Sequence, residues 1–152
     1  MTSRASIPRS VGTLAFLLVL GWTSHPHAQL GAGTKWVRKD AGGIGIVLNI
    51  EACCNGGLRF IWHIPSIGGQ PASTMSVDSP MNGTDAPAIV DGKPSGQTMA
   101  IKKVDDHHYT AVVKMNGQVL GTSSGTISAD NKTMTSEGVF GGQNTTETWG
   151  RQ

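Results

Sequence analysis

From residue 44 onward, apolar and polar side chains alternate with a period of two, in runs that recur about every ten residues and end at Gly, Asn, Asp or Pro. Ile44, Ile46, Leu48 and Ile50 fall on one side of a strand, with Gly45, Val47, Asn49 and Glu51 on the other. After a turn at residues 53–57, Leu58, Phe60, Trp62 and Ile64 repeat the pattern against Arg59, Ile61 and His63. Two unbroken apolar stripes joined by a Gly-rich turn predict a hairpin. Residues 65–71 predict a loop, and residues 72–78 a weaker strand with Met75 and Val77 on one side. Residues 79–96 hold three prolines and three glycines around a short apolar stretch at 88–90, and predict a long irregular connection with at most one short strand.

The second half is more regular. Residues 98–104 alternate Met99 and Ile101 with Ala100 and Lys102. Asp105-Asp106 turns the chain into residues 108–115, where Tyr109, Ala111, Val113 and Met115 align. Asn116-Gly117 is a type I′ hairpin signal, because both residues accept a positive φ. Strands at 119–128, 133–140 and 145–151 follow, separated by turns at 129–132 and 141–144. No stretch beyond residue 28 carries apolar residues at helical spacing for three turns, so the expected class is all-β.

With a short strand at 36–39, the pattern predicts eight or nine strands in an antiparallel meander. Each hairpin has one apolar face to bury, and an unpaired last edge invites aggregation. Closing the meander into a barrel meets both demands. A two-sheet β-sandwich is the alternative. Closure would bring the first and last strands together, with Trp36 plugging one end of the barrel and the Arg151 guanidinium stacked across it.

The Asp-Gly-Lys-Pro run at 91–94, residues 101–106, Asn116-Gly117-Gln118-Val119, residues 128–135 and the ending Trp149-Gly150-Arg151 together resemble a group of small exported bacterial proteins of unknown function. The resemblance covers residues 85–152 and rests mostly on turn chemistry. It implies a lipocalin-like barrel. It leaves function open, since one fold serves many functions.

The first 28 residues read as a secretory signal peptide, leaving residues 29–152 as a single barrel domain. Arg4 and Arg9 give a basic start, residues 11–22 an apolar core, and residues 23–28 a polar tail ending at Ala28. The apolar run is about 12 residues where a spanning helix needs ~20. The expected location is the periplasm or the outside of the cell, with no membrane attachment after cleavage. Two of the 12 Lys and Arg leave with the leader, so the mature chain is near neutral against its 10 acids. Lacking a basic cluster, it is a poor candidate for nucleic acid.

Few residues suggest chemistry. Asp105-Asp106-His107-His108 is the densest ionisable cluster, but neighbours on a strand point to opposite faces and suit a solvated turn better than a metal. His63 alternates with the apolar stripe and should face outward. The only cysteines, Cys53 and Cys54, are adjacent and lack spaced partner ligands, so no metal or other cofactor is expected. A vicinal disulfide, an intermolecular pair and buried thiols all remain open for them. Nucleophile elbows, His-Glu-x-x-His and phosphate loops are missing from the sequence, so no enzymatic activity is expected. The Asn-x-Thr triplets at Asn82, Asn131 and Asn144 would matter only in a eukaryotic host.

What remains is the apolar face. Phe60, Trp62, Met99, Tyr109 and Met115 are the candidate ligand-binding residues, for a lipid-like or aromatic small molecule held inside the barrel. The alternative function is a protein-binding or inhibitory module with a filled core that works through loops 65–71 and 79–96; its protein partner is not specified by the sequence.

Overall fold

Period-two alternation becomes strand along almost the whole of the described part of the chain. The computed structural model describes residues 30–40 and 45–152; the expected leader, its expected cleavage point and Ile44 lie outside the described residues. Ten strands follow one another: β1 Thr34–Arg38, β2 Val47–Cys53, β3 Gly57–Ile64, β4 Ser73–Ser79 and β5 Asn82–Val90 in the first half. The second half holds β6 Lys93–Lys103, β7 His108–Met115, β8 Gln118–Ile127, β9 Thr133–Phe140 and β10 Gln143–Arg151. Every strand pairs antiparallel with its sequence neighbour, and β1 pairs also with β10, which closes the barrel. The sandwich alternative is thereby excluded.

The strand count exceeds the expected eight or nine because residues 79–96 are not an irregular connection. They form β5 and the start of β6, joined by the two-residue turn Asp91-Gly92. The prolines that argued against a strand sit where the ladder tolerates them. Register shifts between Asn82 and Asp85, and between Pro87 and Ile89, take up the missing donor at Pro87 and bend the strand. Small Ala86 and Ala88 pack inward on Val77.

The two ends of the barrel differ. At one end the chain enters through Leu30 and returns through the longer turns 104–107 and 128–132. There Trp36, Ile50, Phe60, Ile127, Met134 and Trp149 form a buried core, with Leu30 and Met81 packed against it. Trp36 is fully buried. Its indole N–H donates to Thr34 Oγ1 at 3.1 Å, and that hydroxyl donates to the Gly31 carbonyl at 2.8 Å, which fastens the entering chain across this end.

At the other end, the β5–β6, β7–β8 and β9–β10 hairpins turn within two residues. Asn116 and Gly117 have φ of 50° and 83°, as a type I′ turn requires. The longer connection at residues 65–72, between β3 and β4, also lies at this end. The Trp36 end is filled by its buried core.

Candidate functional site: the barrel interior

Ten strands enclose a wider interior than eight, and inward side chains decide how much of it stays empty. On β2–β4 and β6 those side chains are large: Leu48, Phe60, Trp62, Met75, Met99 and Ile101. Phe60 and Trp62 stack with ring centroids 5.8 Å apart. On β8 and β9 the inward positions alternate through Gly121, Ser123, Gly125, Ser136 and Gly138, which reach only a short way into the lumen. Large residues on one wall facing small ones on the other leave a cavity of about 400 Å³. That volume lies within the usual range for small-molecule sites, ~300–1,000 Å³.

The small-residue wall carries the polar groups. Register pairs set Tyr109, Gly125, Ser136 and Glu147 side by side across β7, β8, β9 and β10. The Tyr109 ring lies directly over Gly125, where a Cβ would overlap it. The missing side chain lets the phenol cross β8 and reach Ser136. Burial pushes the Tyr109 hydroxyl up to about 12; the hydrogen bond with Ser136 opposes that shift and the Glu147 charge adds to it.

Glu147 in turn meets Arg38, whose Nη1 lies 3.2 Å from its Oε1. Arg38 Nε donates to both carboxylate oxygens of Asp40, at 2.7 and 2.9 Å. Asp40 also accepts the Thr148 backbone N–H at 3.4 Å. The hydrogen bond from Arg38 holds the Asp40 carboxyl below its ordinary range, and the same bond raises the guanidinium above its own. Among the described residues lining the cavity, only Arg38 and Glu147 carry a charge.

Four of the five residues expected to bind a ligand, Phe60, Trp62, Met99 and Tyr109, line this cavity. Met115 does not line it. The register shift between Val113 and Lys114 breaks the alternation just before it, and its sulfur turns toward Gly96. Sequence reasoning missed Arg38, Glu147 and Ser136. Their signal was phase: Arg38 follows Trp36 by two residues and Glu147 precedes Trp149 by two, so each shares the inward face of a buried tryptophan.

The other clusters are engaged in structure. Asp105 accepts from the backbone N–H groups of His107 and His108, both at 2.8 Å, and sits 2.8 Å from His108 Nδ1. His107 points the other way, with Nδ1 3.0 Å from the Ile127 carbonyl, so the pair does not converge. His63 is exposed, with Nε2 3.1 Å from Asn49 Nδ2. Cys53 and Cys54 are joined as a vicinal disulfide in the β2–β3 turn. They form with Asp78 a group whose potential metal-donor atoms lie within 4.8 Å of one another. The two sulfurs are bonded to each other, however, and Asp78 is held at both oxygens by Arg59, at 2.6 and 2.7 Å.

The chain matches no protein-family model, no curated protein and no solved structure.

Proposed function

We propose that this protein is an exported binding calyx that holds a small, largely apolar ligand inside its barrel. One observation carries the reading: a cavity of about 400 Å³ lies inside the barrel, walled by aromatic, aliphatic and methionine side chains. A chain selected solely to fold would fill that space, because voids forfeit packing energy. The tight-turn end fits the same use, with Phe140 there about half exposed and Gly121 beside it leaving room for the ring.

The outward face supports a barrel that works in water. Lys102, Thr110, Ser124, Glu137 and Thr146 form one outward row across five neighbouring strands. Membrane-spanning barrels have the reverse polarity, apolar outside and polar within. The leader at residues 1–28 supports export to the periplasm or beyond. The alternative of a loop-based binding module is weakened, because one of its two loops, 79–96, is paired strand.

The test is binding of an environment-sensitive apolar dye to the purified barrel, beside a variant with the lumen filled by Ser123→Phe. The expected result is saturable dye binding by the native protein, lost in a variant that still folds. Equal binding by both, or by neither, would remove the calyx reading. Mass spectrometry of exported material should show a chain starting near Gln29; a full-length chain in the membrane fraction would overturn the export reading.

A further inference from the structure

Apolar walls set the size of a ligand, and the charged groups among them set its head. In this cavity those groups are unequal. Arg38 is the one cation lining it among the described residues, and two of its nitrogens already face carboxylates, Nε with Asp40 and Nη1 with Glu147. Two carboxylates surround one guanidinium, so the cluster carries a net negative charge. Glu147 lines the lumen beside Arg38 and is the more exposed of the two, with about a third of its side chain accessible (36%). Beside it stand the hydroxyls of Ser136 and Tyr109, and the phenol stays neutral up to a pKa of about 12.

A carboxylate head entering this wall would bring a third anion to a guanidinium that two already share. A protonated amine would meet the partly free Glu147 carboxylate, with hydroxyl oxygens nearby to accept its remaining protons. Low-dielectric walls enlarge both effects relative to water. We infer that the calyx selects amphipaths with a cationic amine head over those with a carboxylate head, with Glu147 as the counter-ion and the apolar tail against Trp62 and Met99. This rests on the calyx reading and adds to it the chemical class of the ligand.

Three probes with the same tail separate the two claims: dodecylamine, dodecanol and dodecanoate, each used below its micellar concentration to displace a neutral apolar dye from the native protein at neutral pH. The expected order is amine, then alcohol, then carboxylate, with at least ~10-fold between the first and last Kd, which corresponds to about 1.4 kcal/mol. In Glu147→Gln the amine should lose that advantage while the alcohol binds much as before. If dodecanoate binds the native protein as tightly as dodecylamine, the charge selection is wrong and the calyx stands. A preference that survives Glu147→Gln would remove Glu147 as its cause. If the native protein binds neither the dye nor any probe, the calyx fails and the selection with it. The native amine-to-carboxylate ratio decides the matter even if the variant does not fold.

Discussion

The guanidinium carbon of Arg151 lies 5.9 Å from the ring centroid of Trp36, and the two residues are register partners across the β1–β10 seam that closes the barrel. The indole is fully buried and the arginine exposed. Arg151 therefore covers the outer surface of the plug that seals one end. A cation over an indole at an exposed site contributes about 0.5–1 kcal/mol. Arg151→Ala should lower the unfolding free energy by that amount in urea titration. Arg151→Lys should fall between the two, since a compact ammonium stacks less well than a planar guanidinium. Trp36→Ala should cost far more, about 3–5 kcal/mol, because it empties a core position. An unchanged urea midpoint in Arg151→Ala would show that the contact adds nothing.

Tyr109 depends on the bareness of Gly125 beneath it. A methyl group at position 125 would occupy the space of the phenol ring. Gly125→Ala should destabilise the barrel by about 1–3 kcal/mol, the usual cost of overpacking. Truncating the ring in the same chain should relieve it. The double variant Gly125→Ala/Tyr109→Ala should be less destabilised than the two single losses added together. Strict additivity in that cycle would mean that the two positions are not coupled.

How much of this was legible beforehand follows from what each signal depends on. Alternation is local, so the strands holding Leu48, Phe60, Trp62, Ile101 and Tyr109 could be read directly, whereas the choice of a closed barrel over a sandwich needed the β1–β10 pairing. The strand at residues 82–90 was hidden because Pro87 and Gly83 are breakers by composition, and only the pairing partner reveals that register shifts absorb them. The aromatic part of the cavity was legible because large apolar residues announce an inward face. Its polar wall was not. Gly121, Ser123 and Gly125 fall in the expected strand at 119–128, but side chains so small announce no inward face, and the meeting of Arg38 with Glu147 depends on the seam between two strands at opposite ends of the sequence.

The vicinal disulfide closes no long loop, so the entropic benefit that disulfides draw from restraining the unfolded chain is minimal here. It sits in an exposed turn whose residues Cys54 and Asn55 already hold positive φ values of 50° and 53°. Replacing both cysteines with serine should leave the fold and the association state unchanged and cost about 1–2 kcal/mol or less. Circular dichroism and urea unfolding check the fold, and gel filtration checks the association state. Loss of folding would mean that the turn is a keystone of the β2–β3 hairpin.

Tyr109 is the only tyrosine in the chain, so phenolate absorbance reports it alone. Burial, assisted by the negative charge of Glu147, raises its pKa from 10.0 to about 12. In the native protein the phenol should titrate near that value, and in the urea-unfolded chain near ~10. The direction of the linked stability change follows from proton counting. Between those two values the folded state holds a proton that the unfolded state has lost, so stability must fall as pH rises through the window. Below the unfolded value both states are protonated, and the stabilisation is fully present. Tyr109→Phe has no proton to lose. Its unfolding free energy should therefore decline less steeply than that of the native protein between pH 10 and 12, with the two curves running parallel below the window. Glu147→Gln removes the neighbouring charge but leaves the burial, so its phenol should titrate lower than native yet still above the unfolded value. A native phenol that titrates with the unfolded one would mean that water reaches the hydroxyl freely. The Tyr109–Ser136 side of the cavity would then be open to solvent and unable to hold a polar head in a dry site.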